Sequence, residues 1–245
     1  LFFEKEKIMN RSLIVILLLV ICSQLCSAEI LTFNTYENPF GDALKSQGWM
    51  SNGARIMNGY NPNNSDYVAG LASDGSEIRN FFSFDLSSLS DSDEIAGATL
   101  ELTKFQYYSE DSSETYGLFH VDTLAATLNN RLDTRLDEVI FNDLGTGVSY
   151  GEFEISKSGV AGDVLSFELN NEVISAINTS IAGDGWFSVG GAVSSLGDSG
   201  VELIFASGGY YGTQRLLVNV VPEPASIILL SSGLLFLRRK KVLDK

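Results

Sequence analysis

Between residues 79 and 220 the chain repeats one pattern eight times, a short run of alternating apolar and polar residues. The runs are Arg79 to Asp85 (RNFFSFD), Ala96 to Thr103 (AGATLELT), Thr115 to Asp122 (TYGLFHVD), Gly151 to Ser156 (GEFEIS), Asp163 to Leu169 (DVLSFEL), Gly185 to Gly190 (GWFSVG), Val201 to Ala206 (VELIFA) and Arg215 to Val220 (RLLVNV). Side chains of an extended strand point alternately to its two faces, so each run predicts a strand with one buried face. Phe82, Phe84, Ala98, Leu100 and Leu102 are expected to face inward. Turn-forming clusters lie between and before the runs, at Asn58-Gly59, Asn61-Pro62-Asn63-Asn64, Asp74-Gly75 and Gly183-Asp184-Gly185. The pattern predicts a mainly β protein, an antiparallel β-sandwich or jelly roll. Leu169 to Ile177 (LNNEVISAI) departs from it, placing Leu169, Val173, Ile174 and Ile177 at helical spacing behind Asn170 or Asn171 as N-cap. A single short helix is expected there, and no internal repeat suggests a filament or solenoid.

The ends have a different character. Leu13 to Ile21 (LIVILLLVI) is uninterruptedly apolar, follows Lys5, Lys7 and Arg11, and precedes the small residues Cys26-Ser27-Ala28. Basic, apolar, then small is the order of a secretory signal peptide, which predicts a signal helix cut after Ala28 by signal peptidase. Nine apolar residues reach only about 14 Å as a helix, short of the roughly 30 Å bilayer core. Met9 is the better start, which leaves residues 1–8 as a start-site artefact. Both cysteines, Cys22 and Cys26, precede the cut, so the processed chain is expected to have neither disulfide nor thiol nucleophile. Neither follows the small residues that lipidation requires.

At the other end Pro222-Glu223-Pro224 precedes thirteen uncharged residues, Ala225 to Leu237, and then Arg238-Arg239-Lys240-Lys241. Proline breaks the preceding strand, the apolar run predicts a C-terminal transmembrane helix, and the basic cluster stays on the cytoplasmic side. This stretch closely resembles the PEP-CTERM sorting signal of bacterial exported proteins, which combines these three parts in this order. The resemblance implies processing near Pro222 to Pro224 by an exosortase, and a place in the cell envelope or outside the cell with transient or retained membrane anchoring. The alternative is an ordinary single-pass anchor, for which a run of about 20 Å is short.

Three segments result: a signal peptide over 1–28, a body over 29–221 and a sorting tail over 222–245. The body is long enough for one β domain. It carries 8 Lys and Arg against 27 Asp and Glu, a net charge of −19. Charge of this sign repels phosphate backbones, which disfavours nucleic acid as a partner and suits a solubilised exported protein. The run Arg79 to Leu89 with Ile95, Ala98, Leu100 and Leu102 resembles core segments of secreted carbohydrate-binding-module-like β-sandwiches and of uncharacterised PEP-CTERM proteins. That likeness implies a fold; the sugar site does not travel with it. Structural roles are expected for these residues: Phe82 and Phe84 in the core, Asp85 accepting backbone donors at the strand end, and Arg79 pairing with a carboxylate across a ladder.

No catalytic constellation stands out. His120 is the one histidine, without the partners that triads and most zinc sites need, and a position on the sheet surface is expected. Carboxylates are plentiful, yet no spacing singles out a glycosidase pair. Asp91-Ser92-Asp93-Glu94 gathers oxygen ligands on a loop, so Asp91, Asp93 and Glu94 form a calcium candidate without EF-hand spacing, and Asp74-Gly75-Ser76-Glu77 is similar. Exposed aromatics stack on sugars, and the candidates are Trp49, Trp186, Tyr210 and Tyr211, with Tyr107 and Tyr108. The expected function is that of a non-catalytic surface or extracellular-matrix protein without a required cofactor; the alternative is a carbohydrate-binding module for an exopolysaccharide.

Overall fold

The computed structural model of the chain describes residues 28–35, 46–52, 66–129, 137–197, 200–206 and 214–221. The signal segment up to residue 27, the tail over 222–245 and the turn clusters within 53–65 lie outside the described residues. Among the described residues no helix is long and apolar enough to cross a membrane.

The fold is mainly β. The strands are β1 (Glu29–Asn34), β2 (Gln47–Ser51), β3 (Ala69–Leu71), β4 (Glu77–Asp85), β5 (Glu94–Thr103), β6 (Gln106–Tyr108) and β7 (Ser113–His120). After two helices follow β8 (Ser149–Ser156) and β9 (Val164–Glu168), then a further helix, and last β10 (Trp186–Val193), β11 (Glu202–Ala206) and β12 (Arg215–Val221). One antiparallel sheet has the order β1-β12-β5-β9; the other runs β6-β11-β3-β4-β10-β7-β8, with β2 also paired to β4. All eight alternating runs are strands. Their inward residues meet in one apolar core that takes Phe82, Phe84, Phe187 and Val189 from the larger sheet and Leu100, Leu102, Leu216 and Val218 from the smaller. The chain's last strand, β12, sits inside the smaller sheet between β1 and β5. That sheet therefore closes only when both chain ends of the body are present.

Among the described residues of the body, the expectation of a single helix is corrected to three. The predicted one, α3 (Glu172–Ala182), starts three residues later than its apolar spacing suggested and buries Val173 and Ile177. Asn170 Oδ1 accepts the Glu172 N–H at 3.0 Å, while Asn171, at the N-cap position, makes no side-chain cap bond. The other two, α1 (Ala125–Asn129) and α2 (Asp137–Thr146), connect β7 to β8. Leu128 of α1 and Ile140, Phe141 and Leu144 of α2 pack with Met50, Phe81 and Val121 in a second apolar cluster. Ladder partners share a face, and Phe82 and Phe84 lie in the main core, so Phe81 and the second cluster occupy the opposite face of β4. Both faces of β4 are covered. At Gly190, across from Phe81, an added Cβ would stand 2.4 Å from the Leu144 carbonyl oxygen, so the helix end lies against bare backbone.

Arg79 corrects its expected role. Its ladder partner is Met50, not a carboxylate. Arg79 Nε lies 2.7 Å from Glu77 Oε1, two residues back on the same strand. Nη1 donates to the carbonyls of Phe141 and Asn142 at 3.1 and 3.3 Å, and the guanidinium carbon sits 4.3 Å from the Phe141 ring centre. Helix α2 has no basic residue in its last turn, so Arg79 supplies positive charge to its carbonyl end from the neighbouring strand. Replacing Arg79 by Met is expected to lower the unfolding free energy by about 2 kcal/mol, through charged hydrogen bonds and the ring contact. Urea denaturation checks this, and a loss below about 0.5 kcal/mol would show that the helical layer holds without it.

Candidate functional site

Strand directions define two ends of the paired sheets. At one end lie the start of β1, the end of β12 and the start of β5, with Glu29 opposite Val220 and Val221 opposite Glu94. Both proposed processing points, Ala28 and Pro222, therefore adjoin neighbouring rungs. β12 is described as far as Val221, the residue before Pro222. The connection from β4 to β5 arrives at the same end and is tied down at each step. Asp85 Oδ1 accepts the Ser87 N–H at 2.9 Å, as expected for a strand end, and Leu86 N donates to Gly185 O at 2.7 Å. Leu86 and Leu89 are buried, anchoring the loop to the core.

The calcium candidates sit on this loop. Asp93 Oδ2 accepts from the Ser90 backbone N–H at 2.8 Å and from the Ser90 hydroxyl at 3.1 Å, so that oxygen closes the turn. Asp91 and Glu94 are exposed. In the Asp74 loop the carboxylate accepts from the Ser76 hydroxyl and N–H at 2.6 and 3.0 Å, bonds that hold its pKa below the ordinary value. Among the described residues no three His, Cys, Asp or Glu side chains gather to hold a metal ion.

Of the aromatic candidates, Trp49 and Trp186 are described and do not share a face. Trp186 is paired with Asp85 on the face of the larger sheet that carries the helices; Trp49 is paired with Asn80 and lies on the core-facing side. The two half-buried indoles thus lie on opposite faces of one sheet. Tyr107 is half-buried and Tyr108 exposed, both on β6. Tyr210 and Tyr211 lie outside the described residues, as do Pro222, Glu223, Pro224, Arg238, Arg239, Lys240 and Lys241.

His120 shares its face with Tyr116 and Leu118 as expected; that face is the core side, and at the strand end the His120 side chain is still 31% exposed. Its Nδ1 is 2.8 Å from the Tyr150 hydroxyl and its Nε2 is 3.1 Å from Asp122 Oδ1. The register shift between β7 and β8 passes over Tyr150, and Gly151 beside it has φ +145°, a value that favours glycine. This bulge aims the Tyr150 ring into the core. The Tyr-Gly pair within an alternating run was the signal available in the sequence. Burial, with the charges of Asp122 and Glu172, raises the Tyr150 pKa, so the hydroxyl keeps its proton. The arrangement joins β7 to β8 by hydrogen bonds and contains no activated nucleophile. Asp143 completes this end, accepting from the Thr123 N–H and hydroxyl at 2.7 and 2.6 Å.

No family model and no curated protein matches the chain.

Tyr67 and Tyr116 resemble Tyr150 in being raised above the ordinary 10.0 chiefly by burial. Their hydroxyls donate to the Thr103 carbonyl and to Asn80 Oδ1, both at 2.7 Å. Folded, these three bind protons that the unfolded chain releases near pH 10. Their stabilisation is therefore complete below about pH 10 and is lost as pH rises above it. In an alkaline titration their tyrosinate absorbance is expected to appear only together with loss of far-ultraviolet dichroism. A smooth titration of all nine tyrosines in the folded protein would contradict the burial argument.

Proposed function

We propose that this chain is an exported, non-catalytic surface or extracellular-matrix protein. Its acidic body, an antiparallel β-sandwich of jelly-roll type, is delivered by a cleaved signal peptide and sorted through the tail over 222–245. The observation that carries the reading is the fit between addresses and ladder. The signal cut after Ala28 falls one residue before the rung of Glu29 with Val220, and the Pro-Glu-Pro motif starts one residue after the rung of Val221 with Glu94. Among the described residues, neither cut would remove a paired one. Signal peptidase and an exosortase are the processing partners, and the tail gives the membrane contact. The body's −19 charge supports an exported soluble module and argues against nucleic acid. Calcium is not required by this reading.

The expected result for protein recovered from its native host is a mass lacking Met9 to Ala28 and the residues after Pro224, found outside the membrane fraction. An intact chain through Lys245 in the membrane fraction would make it a single-pass anchored protein instead.

The second reading, a carbohydrate-binding module for exopolysaccharide, is favoured by the half-exposed Trp186 ring beside the exposed carboxylate of Asp85. Under the first reading, gels containing polysaccharide retard the body and its Trp186→Ala variant equally. Retardation of the body alone would replace the first reading with the second.

A further inference from the structure

The smaller sheet ends in β1 on one side and β9 on the other, and no described strand lies beyond either. In an antiparallel ladder, residues that exchange backbone bonds with the neighbouring strand alternate with residues that do not. Lys104 N donates to Asp163 O and Leu169 N to Ala98 O, so Leu165 and Phe167 direct their backbone groups to β5. Val164, Ser166 and Glu168 turn theirs outward. On β1, Thr35 N donates to Gln214 O, so Phe33 and Leu31 bond to β12 and Ile30, Thr32 and Asn34 turn outward. All six outward residues are exposed, Ile30 at 61% and Val164 at 51%. Their side chains share the face away from the core, because Leu31, Phe33, Leu165 and Phe167 pack on the core side.

Sheet edges usually carry a lysine, a proline, a charge or a bulge that keeps another chain off. β8, at an edge of the larger sheet, has the exposed carboxylates of Glu152 and Glu154. Residues 30–34 and 164–167 carry no charge and no proline, and neither ladder is bulged.

We propose that β9 of one molecule pairs with β1 of a second copy, so that copies join head to tail through their smaller sheets. Strands of that sheet alternate in direction from β1 to β9, so a β1 placed beyond β9 runs antiparallel to it. The register that uses every outward residue sets Val164, Ser166 and Glu168 opposite Asn34, Thr32 and Ile30 of the second copy. It also sets Leu165 opposite Phe33 and Phe167 opposite Leu31, so each core-side pair is apolar. Leu31 and Leu165 are only partly buried within one molecule, and the joint covers them. Two different strands make the contact, so each added copy leaves one edge open and growth continues past the dimer. The inference goes beyond the sorting reading and stands apart from it, since both edges lie within the body.

The test is sedimentation of the protein recovered from its native host, beside two variants made there. Ser166→Pro removes the central outward N–H of β9 and Thr32→Pro that of β1; neither N–H serves the molecule's own ladders, and edge strands accept proline. The average mass of wild type is expected to rise at least about twofold between about 10 μM and about 1 mM. High salt, which screens the body's −19 charge, is expected to raise it further. Each proline variant alone is expected to stay monomeric, and their equimolar mixture to stop at the dimer, because each supplies the edge that the other lacks. Where a proline lowers the melting temperature, Ser166→Glu combined with Thr32→Glu sets like charges opposite each other across the joint and is expected to be monomeric as well. Wild type that remains monomeric at about 1 mM in high salt would overturn the inference. Equal assembly of wild type and both proline variants would overturn it too, by placing the contact elsewhere. So would a Thr32→Pro chain that still dimerises, since β9 would then be pairing with itself.

Discussion

Strand β4 must be covered on both faces, and most of the architecture answers that requirement. Phe82 and Phe84 look into the core between the sheets, and Phe81 looks into the helical layer. A strand without a wet face has nowhere to put a polar group except against a partner. Asn80 shows the solution on the core side: its amide donates to the Tyr67 carbonyl at 2.7 Å and its Oδ1 accepts the Tyr116 hydroxyl at 2.7 Å. That pair occupies the space beside Gly191, where a Cβ would stand 1.9 Å from the Tyr116 oxygen. On the helical side Ser83 pairs with Ser188 at 2.9 Å, and Arg79 holds the carbonyls of α2. One strand thereby fixes the position of two sheets and one helix.

The period-two signal was legible because it reports a face, and faces survive tertiary packing. All eight alternating runs became strands for that reason. What it could not report was coverage of the second face. Phe81 and Phe82 sit side by side in RNFFSFD, and this doubling marked a strand buried on both sides. Ile140, Phe141 and Leu144 had helical spacing, but within DEVIFNDLGT the apolar stretch is too short to stand out from the surrounding polar residues. Strands β2, β3 and β6, of five, three and three residues, carry little periodicity of their own and are strands because longer neighbours pair with them. Arg79 was assigned a ladder partner because a carboxylate is the usual acceptor for a strand arginine. The backbone carbonyls of a neighbouring helix are acceptors that a sequence does not display.

The candidate site divides along the same line. The addresses proposed for the chain ends rest on consecutive residues, so no fold was needed to propose them. Their adjacency was not legible, since Glu29 and Val220 are brought together only by β12 entering the sheet beside β1. Trp49 and Trp186 lie on opposite faces of the larger sheet for the converse reason. Each of Trp49 and Trp186 has the right chemistry, yet whether two rings share a face depends on which strands lie between them.

Acidic side chains occur at both ends of the described body, and Lys104, Lys157 and Arg215 lie at one of them. Lys104 and Lys157 lie at the end away from the chain termini, donating to the carbonyls of Ser156 and Ser109 at 2.5 and 2.6 Å. Arg215 joins Glu101 there at 2.7 Å. At the terminal end Glu29, Asp85, Asp91 and Glu94 are exposed, and no described Lys or Arg accompanies them. Anionic lipid headgroups attract basic segments and repel acidic ones over about a Debye length. An end of this sign gains nothing by settling on such a surface.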